Sequence, residues 1–329
     1  MLQKMIFKQQ KPGRRRKILL TLLIVLLLLV AYTLTVPPRM VVQVNSGITT
    51  LFVSNHSDDT LITPAQFGIE PERREKFTYT TFDGLKLKVV RVSAVDSLAG
   101  ASPRGTIIFL HGVRRHKEQI YPMAAFFSAA GYDCYAPDLR SHGESEGLFT
   151  TYGYYEKLDV SRLIDTISSR FATGSQIILW GQSMGAATAI LTMATDSRVT
   201  AGIIESTFSD FRQVVADYFV QELGFYSESI RDYMIWGSQI LTGMEASQVS
   251  PIIHSAKITA PMLFVHGSAD QRINIKYARE IFSHVKSPGS QFLQIDSARH
   301  TNIWETGGEA YFKKVLEFLQ SSSAVPVLY

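Results

Sequence analysis

Residues 176–194 read QIILWGQSMGAATAILTMA, and how they fold decides the architecture of the whole chain. The first five are apolar apart from the leading Gln176, as expected of a strand covered on both faces. The next five, Gly181-Gln182-Ser183-Met184-Gly185, have the spacing G-x-S-x-G, and the remainder is a good helix former. Strand, G-x-S-x-G and helix in that order predict a turn tight enough to admit only small residues beside the serine. Such a turn lifts a hydroxyl clear of the sheet at the positive end of the following helix. The motif by itself is weak, since two glycines around a serine are common. In this setting Ser183 is expected to be a nucleophile, against the alternative of a plain Gly-rich helix start.

A serine hydroxyl needs a base within hydrogen-bond reach, and the base needs an acid to orient it. When the serine sits on such a turn, the acid and then the histidine follow it in the chain. Of eight histidines, His300 has the best position, in the loop Asp296-Ser297-Ala298-Arg299-His300 after the apolar run QFLQI. Asp270, four residues beyond the run MLFVH, is the expected acid; Glu205 at the end of AGIIE is the competitor and Asp210 a weaker one. An oxyanion hole needs backbone N–H donors. Met184, after the nucleophile, and Val113, in His111-Gly112-Val113-Arg114-Arg115-His116-Lys117, are the expected pair. His111 reads as an ordering residue of that loop. Arg114, Arg115 and Lys117 read as a solvated rim, with an anionic head group as the other possibility.

Around this centre the chain alternates regularly. Residues 77–82 and 85–92 flank Asp83-Gly84, a hairpin signal. Short apolar runs follow at 106–110, 133–137, 176–180, 201–205, 262–266 and 291–295. Helix-length segments lie near 118–130, 155–170, 184–195, 276–286 and 309–320. This predicts a mostly parallel sheet flanked by helices, with antiparallel strands at its start. Residues 206–261 are too long for a simple connection and rich in aromatics, from Phe208 to Trp236. They are expected either to cap a pocket or to pack as ordinary helices.

Composition sets further bounds. The chain has 329 residues and a formal charge of +4, but residues 1–17 hold seven basic residues and no acid. That leaves 26 of the 33 Lys and Arg against all 29 Asp and Glu, a net of −3, so nucleic acid is not an expected partner. Residues 18–36 carry no charge. At helical rise they cover roughly 28 Å, about the hydrocarbon thickness of a bilayer. An uncleaved transmembrane anchor is expected, with a removed signal as the alternative. The basic run before it places the N-terminus in the cytoplasm and the folded domain on the far side. The expected division is a basic tail at 1–17, an anchor at 18–36, a stalk at 37–70 and a folded domain at 71–329. The single cysteine, Cys134, reads as a buried thiol. Asn55-His56-Ser57 matches a glycosylation sequon. No metal-ligand spacing, P-loop or G-x-G-x-x-G after a strand is present, so neither metal nor cofactor is expected.

With these residues in hand, the chain resembles the α/β-hydrolase superfamily from about residue 63 to 319. The likeness is greatest to membrane-associated serine-aminopeptidase-like and acylaminoacyl-peptidase-like hydrolases. It rests on TPAQFGI at 63–69, FDGLKL at 82–87, HGVRRHK at 111–117, APDLRSHGES at 136–145, YGYYEKLDV at 152–160, GQSMGA at 181–186 and HGSAD at 266–270. The resemblance implies a Ser183–Asp270–His300 triad with Val113 and Met184 as oxyanion donors. It implies the fold and a broad subgroup without fixing the substrate. The sequence departs from the usual Arg-Gly-His-Gly at Arg140-Ser141-His142-Gly143, which bears on loop shape. Asp138 and Arg140 read as loop-ordering residues.

Three functions compete: hydrolysis of small-molecule or lipid-derived acyl esters, cleavage of peptides or acylated amino acids, and a non-catalytic binding module. A peptidase would need an acid for a free amine, and Glu222, Glu228 and Asp232 are the candidates.

Overall fold

A computed structural model describes residues 13–44, 62–96 and 100–322. Most of the basic tail, much of the expected stalk and the sequon at 55–57 lie outside these residues. The short apolar runs form the sheet. Its eight strands are β1 (Arg74–Thr80), β2 (Lys86–Val92), β3 (Gly105–Leu110), β4 (Tyr132–Pro137), β5 (Ile177–Gln182), β6 (Ala201–Glu205), β7 (Met262–Gly267) and β8 (Gln291–Ile295). Their order is β1-β2-β4-β3-β5-β6-β7-β8. The opening hairpin is antiparallel to itself and to β4, and β3 to β8 are parallel. The mostly parallel sheet expected from the alternation is present, and the fold is the α/β-hydrolase fold that the resemblance implies. The hairpin pairs Thr80 with Lys86, so its loop is wider than the Asp83-Gly84 dipeptide. Thr81 closes that loop, its hydroxyl accepting from Leu85 N–H at 2.9 Å.

Helices α2 (Tyr121–Ala129), α3 (Glu156–Arg170), α4 (Met184–Met193), α8 (Ile275–His284) and α9 (Ile303–Ser322) flank the sheet. Two apolar cores result. One lies between the sheet and α3 and α4, the other between the sheet and α2 and α9. Central strands β3 to β7 are buried along almost their whole length, whereas β8 is only half buried with Gln294 exposed. The uniform burial expected of QFLQI fails because β8 is the sheet's edge. The α9 segment starts earlier than residue 309, and Gly308 (φ 54°) breaks it into two pieces. Between β6 and β7 the insertion forms α5 (Phe211–Leu223), α6 (Glu228–Thr242) and the short α7 (Pro251–Ser255). Asp210 caps α5, accepting from Gln213 N–H at 2.9 Å, and left-handed Gly224 and Gly243 end α5 and α6.

The apolar N-terminal segment is a single helix, α1 (Arg14–Val42), of 29 residues. It is long and apolar enough to cross a membrane, and none of its most apolar stretch is buried against the protein. It does not stop at residue 36. Pro37 and Pro38 lie inside it, although a proline removes a donor and leaves the carbonyl four residues earlier unpaired. The protein repairs the gap. Tyr233 of α6 donates its hydroxyl to Thr33 O, the carbonyl that Pro37 would leave unpaired. Gly237 of α6 gives Pro38 room, since any Cβ there would overlap the proline ring. Beyond the prolines Val41, Val42 and Val44 are buried. Thr150 N–H donates to Val42 O at 2.8 Å and the Tyr152 hydroxyl to Val41 O at 2.9 Å. Part of the expected stalk is therefore the docked end of the helix.

Candidate active site

The turn after β5 is as tight as its glycines predict. Ser183 has φ 54° and ψ −115°, outside the ordinary regions for an L-residue. A Cβ on Gly181 would overlap the backbone of Gly185, and one on Gly185 would overlap the Leu110 carbonyl. Ser183 N–H donates to Glu205 O at 2.9 Å, which extends the β5–β6 ladder into the turn. Helix α4 starts at the next residue, and all ten of its residues are buried.

The structure brings three distant residues together here. His300 Nε2 is 3.0 Å from Ser183 Oγ, and His300 Nδ1 is 2.8 Å from Asp270 Oδ2. Asp270 Oδ1 accepts from the N–H groups of Arg272 and Ile273, both at 2.9 Å. Burial would raise the Asp270 carboxyl, but hydrogen bonds from His266 and His300 outweigh it and hold the group well below the usual carboxylate range. Burial lowers His300 more than the Asp270 carboxylate raises it, so the imidazole is neutral near pH 7. A neutral ring that donates Nδ1–H to the carboxylate presents Nε2 to Ser183 as an acceptor. Glu205 and Asp210 make no such contact. Glu205 binds Trp180 Nε1 at 2.8 Å and the Tyr311 hydroxyl, and burial raises its carboxyl to about 7. Asp210 is occupied in capping α5.

The loop after β3 faces the elbow. A Cβ on Gly112 would stand 3.4 Å from Ser183 Cβ. Val113 and the left-handed Arg114 (φ 60°) are the central residues of a turn closed by Arg115 N–H to Gly112 O at 3.2 Å. His111 Nδ1 is 2.8 Å from Gly112 O, and its Nε2 accepts from Leu139 N–H at 3.0 Å. Both ring nitrogens are thus engaged in holding the loop. Met184 opens α4, where first-turn N–H groups have no partner within the helix.

Several polar residues differ from their expected setting. Lys117 is not on a solvated rim. It is 1% exposed, and its ammonium donates to Asp138 Oδ2 at 2.7 Å and to Glu144 Oε2 at 2.5 Å. Asp138 also accepts from the N–H groups of Lys117 and Glu144, so the buried cation completes a carboxylate that knots two loops. Arg114 reaches the end of α1, donating Nε–H to Val44 O at 3.2 Å. Arg140, in keeping with a loop-ordering role, pairs with buried Asp159 through two 2.7 Å hydrogen bonds. Ser141, where the resemblance expects glycine, has φ 65°, the left-handed region that favours glycine. Sequence reasoning missed His266, whose Nε2 lies 3.2 Å from Asp270 Oδ2 and 2.9 Å from Ile273 O. Its position four residues before Asp270 was the available signal. Cys134 is buried on β4, with its thiol pushed up by burial.

Beside the elbow lies a cleft of about 150 Å³, lined among others by His111, Arg115, Met123, Gln182, Thr301 and Trp304. Gln182 and Thr301 are the chain neighbours of Ser183 and His300. Of the insertion's candidate acids, Asp232 is committed to arginines, at 2.7 Å from Arg212 and 2.8 Å from Arg231. Glu228 sits in the first turn of α6, and the Glu222 side chain lies outside the described residues.

Known proteins share this fold. A family model described as serine aminopeptidase, S33, matches residues 101–230. The Bacillus subtilis uncharacterized protein YqkD is 27% identical over 218 residues, 66% of this chain and 71% of that one. Among solved structures, the Pyrococcus furiosus esterase Pf2001 superposes with a TM-score of 0.64 at 22% identity, over 79% of this chain and 94% of the esterase. A Pyrococcus horikoshii acylaminoacyl peptidase gives 0.59 at 16% identity, over 78% of this chain and 43% of the peptidase.

Proposed function

We propose that this chain, whose fold is that of the α/β-hydrolases, is a serine hydrolase of carboxylic esters that works through an acyl-enzyme. The observation that carries the reading is the continuous relay Asp270–His300–Ser183, with contacts of 2.8 and 3.0 Å. Ser183 Oγ attacks the acyl carbonyl while His300 Nε2 takes its proton. Asp270 stays ionised, fixes the tautomer and stabilises the imidazolium. The N–H groups of Val113 and Met184 receive the charge that develops on the carbonyl oxygen, each donor contributing roughly 3–4 kcal/mol. The intermediate collapses, the ester C–O bond breaks, and the departing alkoxide takes the proton from His300. Water then attacks the acyl-enzyme, with His300 again as base, to release the acid and restore Ser183.

An ester is favoured over a peptide because Asp232, a candidate anchor for a free amine, is already paired with two arginines. The family model's description favours the second reading, a peptidase or acylaminoacyl peptidase with the same relay. The insertion is read as a cap over the site. Helix α1 is read as a membrane anchor with the basic tail in the cytoplasm and the hydrolase domain on the other side. That placement favours acyl esters derived from lipids.

A fluorophosphonate probe tests the chemistry. The chain should be labelled at Ser183, and Ser183→Ala should not be. Absence of labelling at Ser183 would leave only a binding module. Rates on p-nitrophenyl acyl esters against aminoacyl anilides then separate the readings, and faster anilide cleavage would favour the peptidase. Protease added to sealed vesicles reads orientation: digestion of the domain from the cytoplasmic side would reverse it.

A further inference from the structure

Helices α1 and α6 lie side by side and run in the same direction. Tyr233 meets Thr33, and four to five residues on, Gly237 and Ser238 meet Pro38, the Ser238 hydroxyl donating to Pro38 O at 3.3 Å. Following α6 backward from Tyr233 therefore leads down α1 toward its apolar middle. The five residues from Tyr233 to Glu228 cover about 7 Å, to the level of roughly Leu28 on α1. The α5–α6 tip, Phe225 and Tyr226, lies beyond that point in the chain.

This end of the insertion is apolar on the outside. Phe225 is 52% exposed, Trp236 55% and Ile240 69%, with Tyr226 and Ile230 also exposed. On α6, Ile230, Tyr233, Trp236 and Ile240 fall within one third of the helix circumference, the edge bordering α1. The Tyr233 and Trp236 rings are 6.2 Å apart. Of the nearby charges, Arg231 and Arg212 both pair with Asp232, and Glu228 stands exposed in the first turn of α6. The Tyr233 hydroxyl also satisfies the carbonyl that Pro37 would leave unpaired, a repair that matters most where no water is available to make it.

We propose that this surface lies in the membrane that α1 crosses. The tip at Phe225 and Tyr226 lies deepest, Ile230 to Trp236 lead up to the boundary between acyl chains and head groups, and Ile240, level with about residue 40 of α1, faces the head groups of the leaflet where α1 emerges. Two independent features meet here: an apolar span with a length suited to a bilayer, and an exposed aromatic and aliphatic stripe in register with its upper end. Aromatic rings at the membrane–water boundary are the usual interfacial anchors. The proposal rests on reading α1 as a membrane span. It deepens the hydrolase reading by making the natural substrate an acyl ester dissolved in the bilayer, delivered at the cap rather than from bulk water.

The test uses the full chain reconstituted in phosphatidylcholine vesicles, with bromine carried either near the top or near the end of the acyl chains. The chain has three tryptophans, so the difference between wild type and Trp236→Phe isolates Trp236. Its fluorescence should be quenched by shallow bromines and less by deep ones. A second arm compares Ile230→Asp with wild type on a long-chain ester held in vesicles and on a short soluble ester. The vesicle rate should fall about tenfold, on the scale of losing one buried aliphatic side chain, while the soluble rate holds. Unquenched Trp236 in a chain that still floats with vesicles would overturn the proposal. So would crosslinking of this face to a second copy, or equal losses on both esters. Failure of α1 to float with vesicles after alkaline washing would take the proposal with it. An absence of esterase activity would sink the hydrolase reading while the quenching arm still reports on the surface.

Discussion

The turn at Ser183 and the contact between α1 and α6 are both places where the backbone leaves regular geometry, and they are held in opposite ways. At Ser183 the constraint is local. Gly181 and Gly185 leave no room for a Cβ, and the flanking strand and helix are continuous in sequence with the turn. At Pro37 the constraint is borrowed. The proline removes a donor, and the replacement, Tyr233, arrives from 200 residues away in sequence. A motif that enforces its own shape can be read from a short window, whereas a repair made by a distant side chain cannot.

The most severe way to probe the local side is to remove its hydroxyl. Ser183→Ala should lower kcat for ester hydrolysis by about 10⁵-fold, and Asp270→Asn by about 10⁴-fold, with the fold intact by circular dichroism. A loss under tenfold for Ser183→Ala would place the nucleophile elsewhere. Next in size is the pH response. His300 must be neutral to act, and burial lowers its pKa from 6.5, so kcat/KM should be on its plateau at pH 7. It should decline about tenfold per unit only below pH 6.5. A midpoint above 7 would contradict the environment described for the imidazole.

The borrowed side calls for a gentler change. Tyr233→Phe keeps the ring and removes the donor, leaving Thr33 O to find another partner. Stability in detergent or bilayer should fall by about 1–2 kcal/mol, with little change in turnover of a soluble ester. No change in stability would mean that the bend at Pro37 holds itself. The smallest expected effect lies at Ser141, a left-handed position held by a residue with a side chain. Ser141→Gly should stabilise by up to about 1 kcal/mol, a rise of a few degrees in Tm. A clear loss of stability would show that the serine side chain contributes more than its backbone conformation costs.

The same contrast explains what the sequence disclosed. Strand positions, sheet direction and the residues that meet at Ser183 were legible because each sits at a fixed offset from an apolar run. Lys117 was misread because charge in a loop looks solvated until its partner is known. Asp138, which neutralises it, lies at the end of a different strand. The reach of α1 past residue 36 was hidden for a similar reason, since a Pro-Pro pair ordinarily ends a helix and only Tyr233 and Gly237 make room for it here. The half-burial of β8 depends on its place at the sheet's edge, which no window of five residues reveals.

The complete burial of α4 has a consequence for how this scaffold diversifies. A helix with no face toward solvent or cleft can accept only exchanges of matched volume, so drift there is confined to silent repacking. New tastes in acyl group or alcohol must arise in the surrounding loops and in the insertion after β6. Chains descended from a common ancestor would then keep the segment around Ser183 nearly fixed while their diets diverge.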